Sequence, residues 1–429
     1  MKRCLILVVT AFMLVACRPS EGLDLGHEEQ IIENLLYDFD FLMTFIEENS
    51  PLIGPIERRV GIDFNVEMLR IRDRITVNNI HFGRARTFEE MEEAAAQFFF
   101  DHILMEIMVV TRGLGHLSPT SEESLIDHFA RVQRYLLESE ERSMLGYLFY
   151  EQYQNPVLAR FYNLDDVCLE TDGFGDYNKD NITTEILVPG EIAYVSVDSF
   201  MNSIEMDGDV LRPFFEEIQD FDHLIIDIRG NFGGYMNHFT HLFMATLLDD
   251  HQVVSYPEFF RRTDTVLEHV EAYMDSQRVH SGFDGTFRSA DDFFRENPMP
   301  HMNPNDRALL DYVVEWEYVI EPSEDNIPFD GEIWLLVDHW SASASENAAI
   351  YSMSSGFATV VGYETIGVLG AMTLSTPLPN TGILFRVDFG FIPDAYGWSQ
   401  EEFGVAPEYL VPRGSDILDY VLDMIMREG

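Results

Sequence analysis

The spacing of hydrophobic residues along the chain is helical in the first part and changes to short β-branched runs in the second. This change divides the chain into two parts. Between residues 28 and 51 the apolar residues recur at helical spacing. A second helix is predicted after Thr87, which can form a capping box with Glu90, and a third over 120–154. Residues 28–155 therefore predict an α-helical domain.

The second part of the chain follows a Gly- and Asn-rich linker at 156–182 and consists of short β-branched runs. The strand candidates are 186–188, 192–197, 224–228, 333–337 and 359–361. They alternate with helical stretches, which is typical of an α/β domain, here over 183–429. Residues 255–325 are polar, aromatic and proline-containing, and they predict a long insertion in this domain.

The N-terminus has the form of a targeting segment. Two basic residues precede a short apolar run, and Leu14–Cys17 reads as a lipobox. The run is too short for a permanent transmembrane helix. We expect removal of residues 1–16, acylation of Cys17 and anchoring outside the cytoplasm to a bacterial-type membrane through a tether at 17–27. An ordinary signal peptide followed by a chance cysteine is the alternative.

Charge and cysteine content exclude several classes of protein. The formal charge is −48, from 75 acidic and 27 basic residues, and such a surface repels nucleic-acid phosphates. Of the three cysteines, Cys4 leaves with the signal and Cys17 carries the lipid, so Cys168 has no disulfide partner. No zinc-type Cys/His spacing occurs.

A serine-rich segment, Trp340–Glu346, follows a predicted strand and precedes a predicted helix. A serine at such a turn lies at a helix N-terminus, where backbone N–H groups can receive an oxyanion. The alternative is that these serines only cap the helix.

A glycine-rich segment, Leu224–Gly234, runs from a predicted strand into a turn. Its glycines allow close approach of the backbone and present N–H groups. A plain strand-turn-helix connection is the alternative. Neither of the glycine-rich phosphate-binding motifs occurs.

These two segments, followed by Val360–Gly367 and Gly404–Glu408, resemble in order the C-terminal-processing (tail-specific) and tricorn-core group of serine peptidases. The resemblance covers most of residues 183–413. It implies a crotonase-like (Clp-protease-like) α/β catalytic domain behind the helical domain. It also implies a peptide or unfolded-protein substrate, no cofactor and no metal.

The resemblance further implies the catalytic residues. The family's nucleophile is the serine three residues before the glutamate, which is Ser343. The oxyanion hole would consist of the backbone N–H of Ala344 and that of Gly233 or Gly234.

One branch of the family activates its serine with a lysine, and that position is Val368 here. Lysine occurs only at Lys2 and Lys179, so a Ser-Lys dyad is disfavoured. The tricorn-like branch uses a histidine from the helical domain, which His116 matches in a Gly-Leu-Gly-His-Leu segment. A near-neutral imidazole suits general-base work, and a surface loop histidine is the alternative.

Two details of this assignment stay open at the sequence level. Leu114 and Leu117 stand where the branch usually has Asp and Thr beside the histidine. The third triad member is Glu401 by the family spacing, and the adjacent Glu402 competes with it, or both are solvated charges.

Two further histidines, His238 and His241, lie three residues apart on the helix after the glycine turn. We expect them at the helix surface or a domain interface rather than at a metal.

The sequence thus predicts a lipid-anchored extracytoplasmic serine peptidase. A non-catalytic peptide- or ligand-binding lipoprotein on the same fold is the alternative. A crotonase-type acyl-CoA enzyme ranks lower, because an exported acidic protein is a poor host for a polyanionic thioester.

Overall fold

The computed structural model describes residues 26–80, 82, 87–126, 128–129, 144–164, 178–281, 286–369 and 372–428. The predicted signal segment 1–16, the predicted lipidation site Cys17, and Cys168, for which the sequence predicts no disulfide partner, lie outside these residues.

The N-terminal part of the described chain is helical. Its elements are α1 (His27–Asn49), α2 (Ile53–Val60), α3 (Phe64–Arg72), α4 (Phe88–Phe98), α5 (Met105–Thr111), β1 (Ser118–Pro119), α6 (Met144–Tyr153) and α7 (Pro156–Phe161). The predicted capping box is confirmed, because the Thr87 and Glu90 side chains each accept the other residue's backbone N–H. Helix α7 falls inside the stretch that the sequence predicts as linker.

Helices α4 and α5 are joined by a wider π-type turn at Phe99–Leu104. The combined stretch Phe88–Thr111 is long and apolar enough to cross a membrane by composition. However, Phe99, Ile103 and Ile107 are fully buried against the other N-terminal helices. Its apolar face is therefore accounted for by the protein core.

The rest of the described chain alternates strands and helices. The elements are β2 (Ile182–Val188), β3 (Ile192–Val197), α8 (Ile204–Ile218), β4 (His223–Asp227), α9 (Met236–Phe239), α10 (Ala245–Leu247), β5 (Gln252–Phe260), α11 (Asp264–Ser281), β6 (Thr286–Ser289), α12 (Ala290–Glu296), α13 (Pro304–Arg307), β7 (Tyr312–Ile320), β8 (Glu332–Val337), α14 (Ala344–Ser355), β9 (Thr359–Gly362), β10 (Thr373–Pro377), β11 (Leu384–Asp388), β12 (Gly390–Phe391), α15 (Gln400–Phe403), β13 (Tyr409–Leu410) and α16 (Ile417–Glu428).

The main sheet has six strands in the order β13-β9-β8-β4-β3-β2. All neighbours are parallel except β2 and β3. Strands β4 and β8 pair directly, with Asp227 opposite Leu336. Their carboxyl ends therefore meet at one edge of the sheet, the place where ligands bind in open α/β sheets. The five predicted strands are all confirmed, with bounds that shift by a few residues.

Both faces of this sheet are covered by helices. On one face Leu335 and Ile226 pack with Phe215 of α8 and Ala348 of α14. On the other, Trp334 and Leu336 pack against Val421 and Ile425 of the C-terminal helix α16. Apolar side chains on both faces explain the continuous hydrophobic runs in β4 and β8. The domain is mixed α/β, preceded by helices.

Much of the predicted insertion 255–325 belongs to a second, antiparallel sheet of order β12-β5-β7-β6, although β12 and the start of β5 lie outside those bounds. Strands β5 and β7 pair over nine residues, which the sequence pattern did not reveal. Phe259 and Phe293 from this region share one core with Leu42 and Phe99 of the helical part. A small third sheet, β1-β11-β10, joins the end of α5 to the C-terminal half.

Candidate active site

The turn between β8 and α14 carries Ser343. It is fixed by Asp338, whose Oδ1 accepts the backbone N–H groups of Gly230, Trp340 and Ser341. Ser343 itself has φ 53° and ψ −116°, a conformation that L-residues rarely adopt. Such a backbone costs about 1–3 kcal/mol and persists only where its surroundings impose it. Because strained backbones of this kind cluster at functional sites, the conformation favours a functional role for Ser343.

Exposure separates the three serines of this turn. Ser341 is fully buried and donates its hydroxyl to the Ile228 carbonyl at 3.0 Å. Ser345 is also fully buried. Ser343 alone of the three is partly exposed. Only its hydroxyl can meet a substrate without a rearrangement of the core.

The buried carboxylate of Glu346 organises the segment around Ser343. It accepts the backbone N–H groups of Ser343, Gly367 and Val368, and the hydroxyl of Thr365. Burial raises the pKa of Glu346, and these hydrogen bonds oppose that rise. The Val368 carbonyl accepts the Ser343 N–H at 3.0 Å, so the position of the family's lysine lies directly beside the nucleophile turn.

The glycine-rich loop after β4 lies against this turn. A Cβ on Gly233 would lie 2.5 Å from the Ala342 carbonyl oxygen and 2.8 Å from the Ala344 nitrogen, so only glycine fits. Gly233 donates its own N–H to the Asn231 side chain at 2.8 Å. Within the described residues, the N–H groups of Gly234 and Ala344 have no acceptor. These two N–H groups are therefore available to a ligand, whereas that of Gly233 already donates to Asn231.

A buried His-Asp pair supports the glycine-rich loop. His238, which the sequence predicts at the helix surface or a domain interface, is fully buried, and its Nε2 lies 2.7 Å from Asp207 Oδ2. Its ring packs on Phe200 at 5.3 Å between centroids. The backbone of Phe200 in turn donates to Gly233 and accepts from Tyr235. His241 is exposed, as expected.

His116 lies in a tight turn after α5. Gly113, Gly115 and His116 itself all have positive φ, of 72°, 63° and 46°. Leu114 and Leu117, which depart from the family pattern, are buried in the helical core. The two leucines therefore hold the turn by apolar packing against the helical core, at the positions where the family pattern has polar residues.

The carboxylate that contacts the His116 ring is Asp388, not the expected Glu401. Its Oδ2 lies 2.7 Å from His116 Nδ1, and its Oδ1 accepts the Thr373 hydroxyl at 2.8 Å. The Asp388 side chain is fully buried at the end of β11. An Nδ1–H that donates to Asp388 leaves Nε2 free to accept a proton.

Glu401 instead holds the backbone of the histidine turn. Its carboxyl accepts the N–H of Gly115, the residue before His116. Burial and the nearby Asp388 charge raise the pKa of Glu401 well above its usual value, and the N–H groups of Gly115 and Leu369 oppose the rise. Since Leu369 follows Val368, Glu401 links the histidine turn to the segment beside Ser343.

Glu402 faces away from this network. It accepts from Arg58 Nε at 2.8 Å, and Arg58 also pairs with Asp306. The structure therefore gives the two adjacent acids different partners: Glu401 contacts the histidine turn, and Glu402 contacts Arg58.

Lys179 occupies an exposed turn before β2. It is the one lysine that the described residues contain. Lys179 is therefore not one of the buried groups that organise the Ser343 turn.

Comparisons with known proteins identify the family of this chain. The sequence pattern of peptidase family S41 matches residues 191–411, more than half of the chain. The chain belongs to this family, and it is a serine-type peptidase.

Solved structures are similar at low sequence identity. A protein of Parabacteroides merdae is 17% identical, with 92% of this chain and 98% of that chain covered and a TM-score of 0.47. Mature CPAF is 11% identical, with 93% and 99% covered and a TM-score of 0.48. A lipoprotein of Streptococcus agalactiae is 11% identical, with 92% and 97% covered and a TM-score of 0.42.

Proposed function

We propose that this peptidase cleaves exported or extracellular peptides and proteins through an acyl-enzyme on Ser343. The observation that supports the proposal best is a partly exposed serine in a strained turn, beside two backbone N–H groups, those of Gly234 and Ala344, that have no acceptor among the described residues. Preorganised donors of this kind stabilise the oxyanion that forms when a carbonyl is attacked.

The steps use two side chains, those of Ser343 and His116, and two backbone N–H groups. His116 Nε2 takes the Ser343 hydroxyl proton while Oγ attacks the scissile carbonyl carbon, and the oxyanion is received by the N–H groups of Gly234 and Ala344. Collapse breaks the C–N bond, and the leaving amine takes the proton from Nε2. Water then repeats the sequence on the ester and frees Ser343. These proton transfers require neither a cofactor nor a metal.

Asp388 and Glu401 divide the work that a single triad acid performs elsewhere. Asp388 fixes the ring tautomer and stabilises the imidazolium, because it is the carboxylate in contact with Nδ1. Glu401 acts one step further away, through the Gly115 backbone.

We also propose a lipid anchor at Cys17 and a crotonase-like description of the catalytic domain. The Leu14–Cys17 lipobox supports the anchor. The parallel core of the six-stranded sheet, with helices on both faces, supports the fold description.

The lipid anchor can be tested by substitution. Cys17→Ser should move the protein from the detergent phase to the aqueous phase with unchanged peptidase activity. Unchanged partitioning of the Cys17→Ser variant would show that Cys17 carries no lipid.

Digestion of denatured casein tests the peptidase proposal. Ser343→Ala should lower the cleavage rate by roughly four to six orders of magnitude. Ser345→Ala is the matched control, since the Ser345 hydroxyl makes no hydrogen bond among the described residues. A wild-type chain that binds peptides and cleaves none would favour the non-catalytic alternative.

A further inference from the structure

An aromatic pair flanks the candidate active site. Phe232 and Trp340 are 65% and 58% exposed, and their rings contact each other at 6.1 Å between centroids with an angle of 57°. Phe232 directly precedes Gly233 in the glycine-rich loop, and Trp340 lies three residues before Ser343. The pair therefore bridges the two loops that carry the oxyanion donors and the nucleophile.

The backbones that carry these two rings are fixed although the rings are open. Asn231 is fully buried, donates to the Val197 carbonyl at 3.0 Å and accepts the Gly233 N–H at 2.8 Å. Trp340 donates its N–H to Asp338 at 2.9 Å. A preorganised surface loses little conformational entropy when a ligand covers it.

The charged groups next to the pair are occupied by other partners. Arg229 pairs with Asp227 at 2.6 Å, and Asp338 accepts backbone N–H groups. The backbone of Met201 also adjoins this loop, since its nitrogen lies 2.5 Å from where a Cβ on Gly234 would be, and the Met201 side chain is 65% exposed. The surface beside the donors thus offers aromatic and aliphatic faces.

Single exposed apolar residues are common on protein surfaces, but these three adjoin the donors of the active site. We propose that Phe232 and Trp340 form a subsite for a bulky apolar side chain of the peptide substrate, next to the scissile bond. The proposal rests on the proposed peptidase function. A side chain bound there covers both rings and brings the neighbouring carbonyl toward Gly234 and Ala344.

Peptides that differ at one position test the subsite. We would use quenched fluorescent peptides with an alanine- and glycine-rich host, with Phe, Ser or Asp placed in turn at each position, and locate each cut by mass spectrometry. At one position beside the cut, the wild-type kcat/KM should favour Phe over Ser by about tenfold or more, the discrimination usual for apolar pockets.

Substitutions should remove this preference selectively. In a Phe232→Ser, Trp340→Ser variant the ratio of kcat/KM for the Phe and Ser peptides should fall to within about twofold of one. Trp340→Phe should keep most of it, because an aromatic face remains. Tyr37→Ser, at a half-exposed tyrosine of α1, is the matched control and should leave the ratio unchanged. An equal loss for both peptides, or no preference in the wild type, would overturn the proposal.

Binding to a chain that cannot turn over separates the subsite from the peptidase function. The Ser343→Ala variant is titrated with the Phe and Ser peptides while tryptophan fluorescence is followed. A saturable change that is larger or tighter for the Phe peptide, and absent after Trp340→Phe, supports the subsite even if no cleavage is ever found. Equal responses to the two peptides reject it.

Discussion

Asp388→Asn and Glu401→Gln form the most informative pair of substitutions, because the structure assigns these acids different tasks. Asp388 contacts His116 Nδ1 at 2.7 Å from a fully buried position. An asparagine there presents either an amide N–H to the ring, which selects the wrong tautomer, or a neutral oxygen, which stabilises the imidazolium less. Loss of a triad carboxylate lowers the rate by roughly 10³–10⁴-fold, equivalent to about 4–5 kcal/mol in the transition state.

Glu401→Gln should have a much smaller effect. A glutamine oxygen still accepts the Gly115 N–H, so the histidine turn keeps its support. Because burial raises the pKa of Glu401, its neutral form resembles an amide, and we expect less than about a fivefold loss.

The rate constant for fluorophosphonate labelling measures both variants without a known substrate, and thermal unfolding checks that each remains folded. A folded Asp388→Asn variant with wild-type labelling would refute the reasoning. So would a folded Glu401→Gln variant that loses as much as Asp388→Asn.

Two further substitutions test the supports of the site, and a third tests a buried carboxyl group of β5. Gly233→Ala places a methyl group against the nucleophile turn and should lower the labelling rate about 100-fold or more, whereas Gly230→Ala, with open space around its Cβ, should cost only about 1 kcal/mol of stability. His238→Ala should loosen the glycine-rich loop and lower both the labelling rate, about tenfold, and the melting temperature, while the exposed His241→Ala should change neither. Burial raises the pKa of Glu258 from 4.5 to about 8, so the folded state holds a proton that the unfolded state releases, and stability should fall between about pH 4.5 and 8 by on the order of 4 kcal/mol. In urea titrations across this range, Glu258→Gln should flatten that slope, and an unchanged slope would exclude Glu258 as its source.

Much of the site could be predicted because local sequence and local geometry coincide there. Unusual backbone angles occur in three segments: the Ser343 turn, the glycine-rich loop and the Gly113–His116 turn. Glycines and small residues in the sequence indicate such angles. The strands that carry the first two loops are continuous hydrophobic runs, which identify buried parallel strands.

The partner of His116 could not be predicted in the same way. Asp388 lies 272 residues away at the end of a short strand, with no motif around it. Its role arises from the β1-β11 pairing, a long-range contact that brings the segment after the histidine turn against β11. The contact of His238 with Asp207 is equally unpredictable, because helical spacing carries no information on a buried carboxylate from another helix.

The most direct test of the central claim is the site and rate of fluorophosphonate modification, mapped by peptide mass spectrometry. We expect one adduct, on Ser343, and we expect its rate of formation to fall almost to zero in His116→Ala, because the general base is then missing. An adduct on Ser341 or Ser345, or an unchanged rate of Ser343 labelling in folded His116→Ala, would contradict it.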